Sequence, residues 1–252
     1  MHPIVRFAGK VVPGTLKQQL KEDLTRYFQA PSIELTLKNM RQLGFTPATI
    51  IDIGAHIGQW SLMVHEIFPQ ATVLMLEAQT SKASTLETIA NAHPGKIRYR
   101  IAVLGPEPRE DVVFHECDAA PTASSVLSSH EPLAFQDVRR RMETLDNVLQ
   151  ELALTQPDLL KLDIQGYELE ALKGGSQALR SAHAVLLEVS TVELYKGAPL
   201  LQDVVAFMDQ HGFRAYDICN LMRLRSSDTL VQLDMIFVKA DSFLFTKVAG
   251  QL

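Results

Sequence analysis

Apolar residues near the start of the chain recur at spacings of three and four positions. Between residues 17 and 43 they lie on both sides of Pro31, and Gly44 follows the last of them. This period predicts amphipathic helices that are broken near Pro31 and end at Gly44. We therefore expect a helical N-terminal extension over residues 1–48 and a single globular domain over residues 49–252.

From residue 49 onward, short apolar runs alternate with longer segments of helical period. The runs predict strands at residues 49–53, 72–76 (with Glu77 at the end), 97–103, 111–116, 159–164, 184–189, 213–218 and 233–238. The longer segments predict helices at residues 59–68, 84–92, 142–153, 168–179 and 200–211. Such alternation indicates an α/β fold, in which right-handed crossovers build a mainly parallel sheet with helices on both faces.

Residues 105–132 are the least regular part of this pattern. They contain four prolines and only the short strand predicted at residues 111–116. Long loops in compact domains commonly carry function. We therefore expect a lid or a substrate loop here, in which Ser124 and Ser125 could donate hydrogen bonds to a ligand.

Charge and cysteine usage narrow the functional classes. The chain has 24 Lys and Arg residues against 29 Asp and Glu, a net charge of −5. This balance gives no electrostatic footprint for nucleic acid, and we interpret the basic triplet at residues 139–141 as a solvated helix face. Cys117 and Cys219 lack the spacing of a zinc site or a disulfide framework. No segment has the pattern of a signal peptide or a membrane span. We expect a cytoplasmic protein with no nucleic-acid or membrane partner.

The segment IIDIGAHIGQW, residues 50–60, places a carboxylate and two glycines around the end of the first predicted strand. In open parallel sheets, ligands bind beyond the carboxyl ends of the strands. Gly54 and Gly58 would let the backbone pass close to a ligand. Glu77 ends the next strand, where a carboxylate can accept the hydroxyls of a ribose. The pattern therefore predicts a nucleoside cofactor; the alternative is a strand-to-helix turn that Asp52 caps.

The glycine spacing favours one nucleoside cofactor over another. The NAD fingerprint has three glycines that support a pyrophosphate, whereas His56 here stands between Gly54 and Gly58. A loop without that cradle suits S-adenosylmethionine, which carries no phosphate, and Asp52 would then orient the loop and the ligand's amino group. An NAD-dependent oxidoreductase remains the alternative enzyme.

Four segments together resemble the FkbM-type S-adenosylmethionine-dependent methyltransferases: IIDIGAHIGQWSLM, LEAQTSKASTLE, KLDIQGYELEALKGG and LLEVSTVELYKGAPLLQDVVAFMDQHGFRAYDI. The resemblance covers residues 49–238. It implies a class I methyltransferase, a Rossmann-like three-layer sandwich whose seven-stranded sheet has an antiparallel last strand. It also implies O-methylation of a hydroxyl on a sugar, a polyketide or a related small metabolite. Gln165 stands where the family usually has glutamate, and His56 where asparagine is more usual.

Asp163 and Glu188 end neighbouring predicted strands and are the catalytic candidates. A hydroxyl that takes a methyl group must lose its proton, and a carboxylate can accept it. We hypothesise that Asp163 orients the acceptor hydroxyl or accepts its proton, and that Glu188 binds substrate or a cation. The alternative is that Asp163 only caps the following helix. With Glu168 these acids would suit magnesium or calcium, but the sequence does not fix their distances, and we predict no metal.

The remaining candidates follow from position and from the resemblance, which places Ala102 and Val103 near the adenine. The full set of cofactor candidates is Asp52, Gly54, Ala55, His56, Gly58, Glu77, Ala78, Ala102 and Val103. The substrate candidates are Ser124, Ser125 and Tyr195, each with a purely structural alternative. The N-terminal helices either cover the cleft or form a homodimer face, and periodicity does not choose between these roles. The departure at Gln165 keeps open a non-catalytic binding module.

Overall fold

The computed structural model describes residue 19 and residues 30–130 and 133–250 of the chain. Within these residues the strands are β1 (Thr49–Ile53), β2 (Thr72–Glu77), β3 (Ile97–Ile101), β4 (Val103–Leu104), β5 (Arg109–Glu116), β6 (Gln136–Glu143), β7 (Leu159–Leu162), β8 (Ala184–Ser190), β9 (Phe213–Arg223) and β10 (Leu230–Lys239). The helices are α1 (Ile33–Gln42), α2 (Gln59–Ile67), α3 (Ala83–Ala92), α4 (Leu145–Glu151), α5 (Glu168–Lys173), α6 (Ser176–Ser181), α7 (Leu201–Gln210) and α8 (Phe243–Ala249), with short 3₁₀ turns at Thr80–Lys82 and Pro121–Ala123.

Seven of the strands form one sheet in the order β3-β2-β1-β7-β8-β10-β9. Strand β1 pairs in parallel with β2 on one side and β7 on the other, whereas β10 runs antiparallel to both of its neighbours. This confirms the predicted mostly parallel sheet with an antiparallel last strand. The strand order reverses between β1 and β7, so a crevice opens at the carboxyl ends of these two strands.

Two hydrophobic cores lie on opposite faces of this sheet because successive strand residues point to opposite sides. Ile51 and Ile53 of β1 pack with residues of α4 to α7. Ile50 packs on the other face with residues of α1, α2, α3 and α8. Asp52 shares the face of Ile50, and its register neighbour on β7 is Lys161. A buried carboxylate and a buried amine are thus brought side by side by strand pairing.

The beginning of the described chain agrees with the predicted helix break. Helix α1 starts after Ser32, whose hydroxyl accepts a hydrogen bond from the Leu35 amide at 3.3 Å. Gly44 follows the helix with a φ of +106°, which is the backbone conformation expected at a helix stop. The predicted helical positions Leu20, Leu24, Tyr27 and Phe28 lie outside the described residues.

A second, three-stranded sheet, in the order β4-β6-β5, was not predicted. Strand β5 confirms the strand predicted at residues 111–116 within the irregular segment. Residues 139–141, interpreted above as a helix face, lie on β6, and the predicted helix at residues 142–153 begins only at Leu145, after the N-cap Thr144. The interpretation was wrong because β6 is exposed and charged: Arg139 and Arg140 pair with acids of the facing strand β5, at 3.0 Å and 2.7 Å.

Two further predicted elements are divided in the structure. The predicted strand at residues 97–103 ends at Ile101, and Val103 already belongs to the second sheet. The predicted helix at residues 168–179 is two helices, α5 and α6, separated by Gly174 and Gly175. A Cβ on Gly174 would overlap the Gly105 carbonyl oxygen. The break between the two helices therefore packs directly against the backbone at Gly105. Strands β9 and β10 are longer than predicted.

Candidate functional site

The carboxyl ends of β1, β2 and β7 open into a cavity. Eight of the predicted site residues line it: Gly54, His56, Glu77, Ala78, Ala102, Val103, Ser124 and Asp163. Six others do not line it: Asp52, Ala55, Gly58, Ser125, Glu188 and Tyr195. Sequence reasoning missed Gln79, Phe114, Val126, Gln165 and Tyr167, which complete its wall. Polar groups therefore gather at the strand ends, and apolar side chains face them across the cavity.

The glycine loop is shaped by close contact with the rest of the protein. Gly54 and Gly58 have φ values of +79° and +75°, and His56 between them has +49°. A Cβ on Gly54 would overlap the carbonyl oxygen of Asp163, and one on Gly58 would lie 2.6 Å from the Ile89 side chain. The glycines thus let β1 and its loop lie directly against the end of β7 and against α3. The backbone makes the tight strand-to-helix turn that the alternative interpretation described, but Asp52 does not cap this turn.

Asp52 holds the loop from inside the protein. It is fully buried; one oxygen accepts a hydrogen bond from the Ser61 hydroxyl at 2.7 Å, and the other lies 3.2 Å from Lys161 Nζ. The same ammonium donates to the Gly54 carbonyl at 3.0 Å and lies 3.5 Å from Asp163. Burial by itself lowers the pKa of Lys161. The carboxylates of Asp52 and Asp163 raise that pKa by more than burial lowers it, so it lies above its ordinary value. A charged lysine therefore joins the glycine loop to the end of β7.

Glu77 fixes two backbone segments at the rim of the cleft. Its carboxylate accepts the amide of His56 at 2.7 Å and that of Gln79 at 2.9 Å. Each carboxylate oxygen has a second lone-pair site, so these bonds leave capacity for ligand hydroxyls. His56 stays neutral near pH 7, because burial lowers its pKa. His56 is a loop residue that lines the cavity, and its predicted place beside the cofactor stays a prediction.

Asp163 is the acid of the β7 end that faces the cleft, with a side chain 39% exposed. Asp163 Oδ1 accepts a hydrogen bond from the Gln165 side-chain amide at 3.0 Å, and the same amide nitrogen donates to Glu188 at 2.8 Å. The cap hypothesis for Asp163 is wrong: the backbone amides of Ile164 and Gly166, before α5, donate instead to Glu168, at 2.8 Å and 3.2 Å.

Two further acids lie behind Asp163: Glu168 is buried and Glu188 is half-buried. Burial raises the pKa of Glu168 to about 7. Burial, followed by the charges of Asp163, Glu168 and Asp234, raises the pKa of Glu188 well above its usual value. Glu188 therefore contacts the site through Gln165 and does not face the cavity. In the described part of the chain, no group of three or more His, Cys, Asp or Glu side chains is placed to hold a metal ion.

Ser125 and Tyr195 hold the roof of the cleft. The Ser125 hydroxyl donates to the Gln165 carbonyl at 2.9 Å. The Tyr195 hydroxyl lies 2.8 Å from the Gln165 side-chain oxygen and 3.0 Å from the Ala123 carbonyl. Ser124 lines the cavity and accepts a hydrogen bond from the Cys117 amide at 3.0 Å. The irregular segment predicted as a lid thus covers the cavity through polar bonds to β7 and to the loop after β8.

The family model described as the methyltransferase FkbM domain matches residues 52–215, well over half of the chain. The chain belongs to this family. Membership confirms the predicted FkbM-type methyltransferase family, and the match spans the ends of β1, β2 and β7 at the cleft. No helix in residues 30–130 or 133–250 has the length and apolar character that a bilayer crossing requires.

Curated relatives match the chain only in part. The hexuronic acid methyltransferase AglP of Haloferax volcanii is 23% identical over 141 residues, which are 55% of this chain and 54% of that protein. The AMB antimetabolite synthetase AmbE of Pseudomonas aeruginosa is 24% identical over 204 residues, 66% of this chain and 9% of AmbE. The chain thus spans about half the length of one relative and less than a tenth of the other.

Two solved methyltransferases illustrate the structural likeness. The precorrin-6y C5,15-methyltransferase of Geobacter metallireducens matches with a TM-score of 0.47 and 12% identity, covering 82% of this chain and 86% of that one. The 1,6-didemethyltoxoflavin-N1-methyltransferase of Burkholderia thailandensis, solved with bound S-adenosylhomocysteine, matches with a TM-score of 0.43 and 11% identity, covering 93% of each chain.

Proposed function

We propose that this protein transfers the methyl group of S-adenosylmethionine to a hydroxyl of a small molecule, with Asp163 acting on that hydroxyl. The observation that carries the proposal is the position of Asp163. It is a partly exposed carboxylate at the end of β7, and it lies in the same cavity as Glu77 and the glycine loop. A hydroxyl acceptor needs a proton acceptor within reach, and this arrangement supports O-methylation over a transfer that needs no base.

The cavity fits the nucleoside part of the cofactor in its chemistry. Glu77 would accept ribose hydroxyls, and Ala78, Ala102 and Val103 would pack on the adenine beside the apolar wall. Bound there, the cofactor supplies an electrophilic methyl group on a sulfonium. Gly54, Ala55, His56 and Gly58 would shape the pocket for the methionyl part, and Asp52 would act through Lys161 because it is buried away from the cavity.

The protein's own part in the reaction is to place and deprotonate the acceptor. Asp163 would accept the proton of the hydroxyl at a carboxylate oxygen while holding the oxygen in line with the methyl group. Bringing two reactants into such a geometry can lower a barrier by about 7–11 kcal/mol in favourable cases. The roof formed around Ser124 and Pro121 would exclude water, which would otherwise compete as an acceptor.

The named activity of AglP supports a sugar hydroxyl, in particular that of a hexuronic acid, as the first acceptor to test. A polyketide or another hydroxylated metabolite comes second. A nucleic-acid acceptor is not favoured, because the net charge is −5 and the arginines of β6 are paired with acids. The two alternatives to a methyltransferase are an NAD-dependent oxidoreductase and a non-catalytic binding module that retains the fold.

Calorimetry separates these alternatives before any acceptor is known. We expect S-adenosylmethionine and S-adenosylhomocysteine to bind to the purified protein and NAD not to bind. Binding of NAD alone would contradict the proposal. Binding of the methyl donor without transfer to any member of a panel of hexuronic acids, sugars and hydroxylated polyketides would favour the binding module.

Asp163→Asn tests the proposed base directly. Because the amide cannot accept the proton, we expect turnover with radiolabelled methyl donor to fall about 100-fold or more, within the usual range for loss of a general base. The dissociation constant of S-adenosylmethionine should change less than about twofold. Asp111→Asn, at an exposed position on β5, is the matched control and should retain turnover. Undiminished turnover of Asp163→Asn would contradict the role of the carboxylate.

A further inference from the structure

The side chain of Gln165 connects the cleft to the acids behind it. Its amide nitrogen donates to Asp163 Oδ1 at 3.0 Å and to Glu188 Oε2 at 2.8 Å. Its amide oxygen lies 2.8 Å from the Tyr195 hydroxyl. An amide nitrogen has two N–H groups, and here each of them is taken by a carboxylate. The side chain therefore bridges two acids that come from adjacent strands, β7 and β8.

The orientation of this amide is determined by its neighbours. The NH₂ group faces Asp163 and Glu188, and the oxygen faces the Tyr195 hydroxyl, which can donate to it. The Tyr195 proton can go to the amide oxygen or to the Ala123 carbonyl, which lies 3.0 Å away. The reversed amide would place its oxygen against the acceptor oxygen of Asp163, and the hydrogen bond between them would be lost.

The backbone of Gln165 is also held in an unusual conformation. Its φ is +57°, in the left-handed region that side chains other than glycine seldom adopt. The Ser125 hydroxyl donates to its carbonyl at 2.9 Å. Since such a conformation persists only where the surroundings enforce it, the bonds to Asp163, Glu188, Tyr195 and Ser125 together account for the position of this side chain.

The charges around Gln165 explain why a neutral donor is needed there. Gln165 contacts two acids directly, Asp163 after β7 and Glu188 on β8. Glu188 in turn interacts with the charges of Glu168 on α5 and Asp234 on β10. Lys161 is the cation in contact with Asp163. A carboxylate at position 165 would add another negative charge between Asp163 and Glu188, and one of the three would have to hold a proton.

We propose that Gln165 is a positioning residue that holds the side chain of Asp163 aimed into the cleft. It acts through two contacts. One N–H donates to Asp163 Oδ1, and the other donates to Glu188 and keeps the Glu188 carboxyl apart from Asp163. This inference rests on the proposed function, because Asp163 is there the group that accepts the proton. It assigns a purpose to the residue that departs from the family pattern.

The effect of Gln165 on turnover is tested with Gln165→Met and Gln165→Glu in the methyl-transfer assay. Met has nearly the same length but no donor, so we expect kcat to fall about tenfold or more with the dissociation constant of S-adenosylmethionine changed less than about twofold. Glu should move the acid limb of the pH profile of kcat upward by about one pH unit, because it adds a like charge beside Asp163. Tyr195→Phe removes the contacts of the hydroxyl to the amide oxygen and to the Ala123 carbonyl. It leaves both N–H contacts of Gln165 in place, so kcat should fall less than in Gln165→Met. A uniform loss at every pH in Gln165→Glu would indicate a merely structural residue and overturn the proposal.

A second measurement needs no acceptor. The unfolding equilibrium constant of each variant is measured between about pH 5 and about pH 8. Relative to the unsubstituted protein, Gln165→Glu should lose about tenfold or more in stability as the pH rises, because a carboxylate between two acids binds its proton more tightly in the folded state. Gln150→Glu, at an exposed position on α4, adds the same charge elsewhere. This variant should not lose stability as the pH rises. Equal pH dependence of these two variants would show that position 165 does not lie between the acids.

The two measurements distinguish failure of this proposal from failure of the proposed function. If the protein binds the methyl donor but no hydroxyl acceptor is methylated, O-methylation is contradicted together with the catalytic role of Gln165. The unfolding measurement still decides whether the amide separates Asp163 from Glu188. If methyl transfer is found and Gln165→Met retains full kcat, O-methylation stands and the positioning role is overturned.

Discussion

Three residues that line the cleft have backbones in the left-handed region: Gly54, His56 and Gln165, with φ values of +79°, +49° and +57°. Glycine adopts this conformation without a Cβ penalty, whereas the other two residues each carry a cost of about 1–3 kcal/mol. The His56 amide donates to Glu77, and the Gln165 carbonyl accepts from Ser125. Two of the four described non-glycine residues with positive φ thus line the cavity, on the two loops that would meet the cofactor and the acceptor.

Gly54→Ala tests how closely the glycine loop must approach β7. The new Cβ would overlap the Asp163 carbonyl oxygen, so we expect the free energy of unfolding to fall by about 2–4 kcal/mol from overpacking and backbone strain together. Gly95→Ala is the matched control, because its φ is +74° and nothing lies within 4 Å of its Cβ. Chemical denaturation should show a loss of only about 1 kcal/mol there. Equal losses in the two variants would mean that the loop can move away from β7.

At the scale of elements, the sequence predicted the central sheet well because its strands are buried on both faces. Strand β1 has the predicted bounds, and most helices around the sheet agree within one or two residues. Strand β6 was missed because its charged side chains hide the alternation of a strand. The link between Asp163 and Glu188 could not be predicted either, since it depends on the distance between the ends of β7 and β8. The sequence places acids at strand ends but does not say which of them faces the cavity.

Glu168, at the start of α5, gives the β7–α5 connection a dependence on pH. Its carboxylate is buried and accepts two backbone amides, and burial raises its pKa from 4.5 to about 7. The folded protein therefore binds more protons than the unfolded chain between about pH 4.5 and 7, so this group makes stability fall as the pH rises through that interval and level off above it.

Glu168→Gln removes the titrating group but keeps an oxygen for the amides of Ile164 and Gly166. We expect the variant to gain stability over the unsubstituted protein as the pH rises from about 4.5 to 7, by up to about 3 kcal/mol. Denaturation with urea at several pH values measures this difference. Glu87→Gln, at an exposed position on α3, is the control. A constant difference at all pH values would show that Glu168 does not take up its proton in the folded protein.

At the scale of the whole molecule, the cavity lies where the parts of the fold meet. Strand order reverses between β1 and β7, the second sheet supplies Phe114 to one wall, and the segment around Pro121 covers the opening. These parts come from distant positions in the chain and are joined by few contacts, such as the 3.0 Å bond from the Gln79 side chain to the Pro121 carbonyl. A ligand that touches all of them should therefore stabilise the molecule as a unit.

Thermal unfolding measures this effect. A ligand that binds only the folded state adds about 2.7 kcal/mol at a concentration of 100 times its dissociation constant. For a chain of 252 residues, each kcal/mol corresponds to about 2–4 °C. We therefore expect S-adenosylmethionine and S-adenosylhomocysteine to raise the midpoint by about 5–10 °C, and NAD at the same concentration to leave it unchanged, because the loop with His56 between Gly54 and Gly58 offers no pyrophosphate cradle. An equal rise with NAD would show that the cavity accepts dinucleotides and that the missing third glycine does not determine the choice of cofactor.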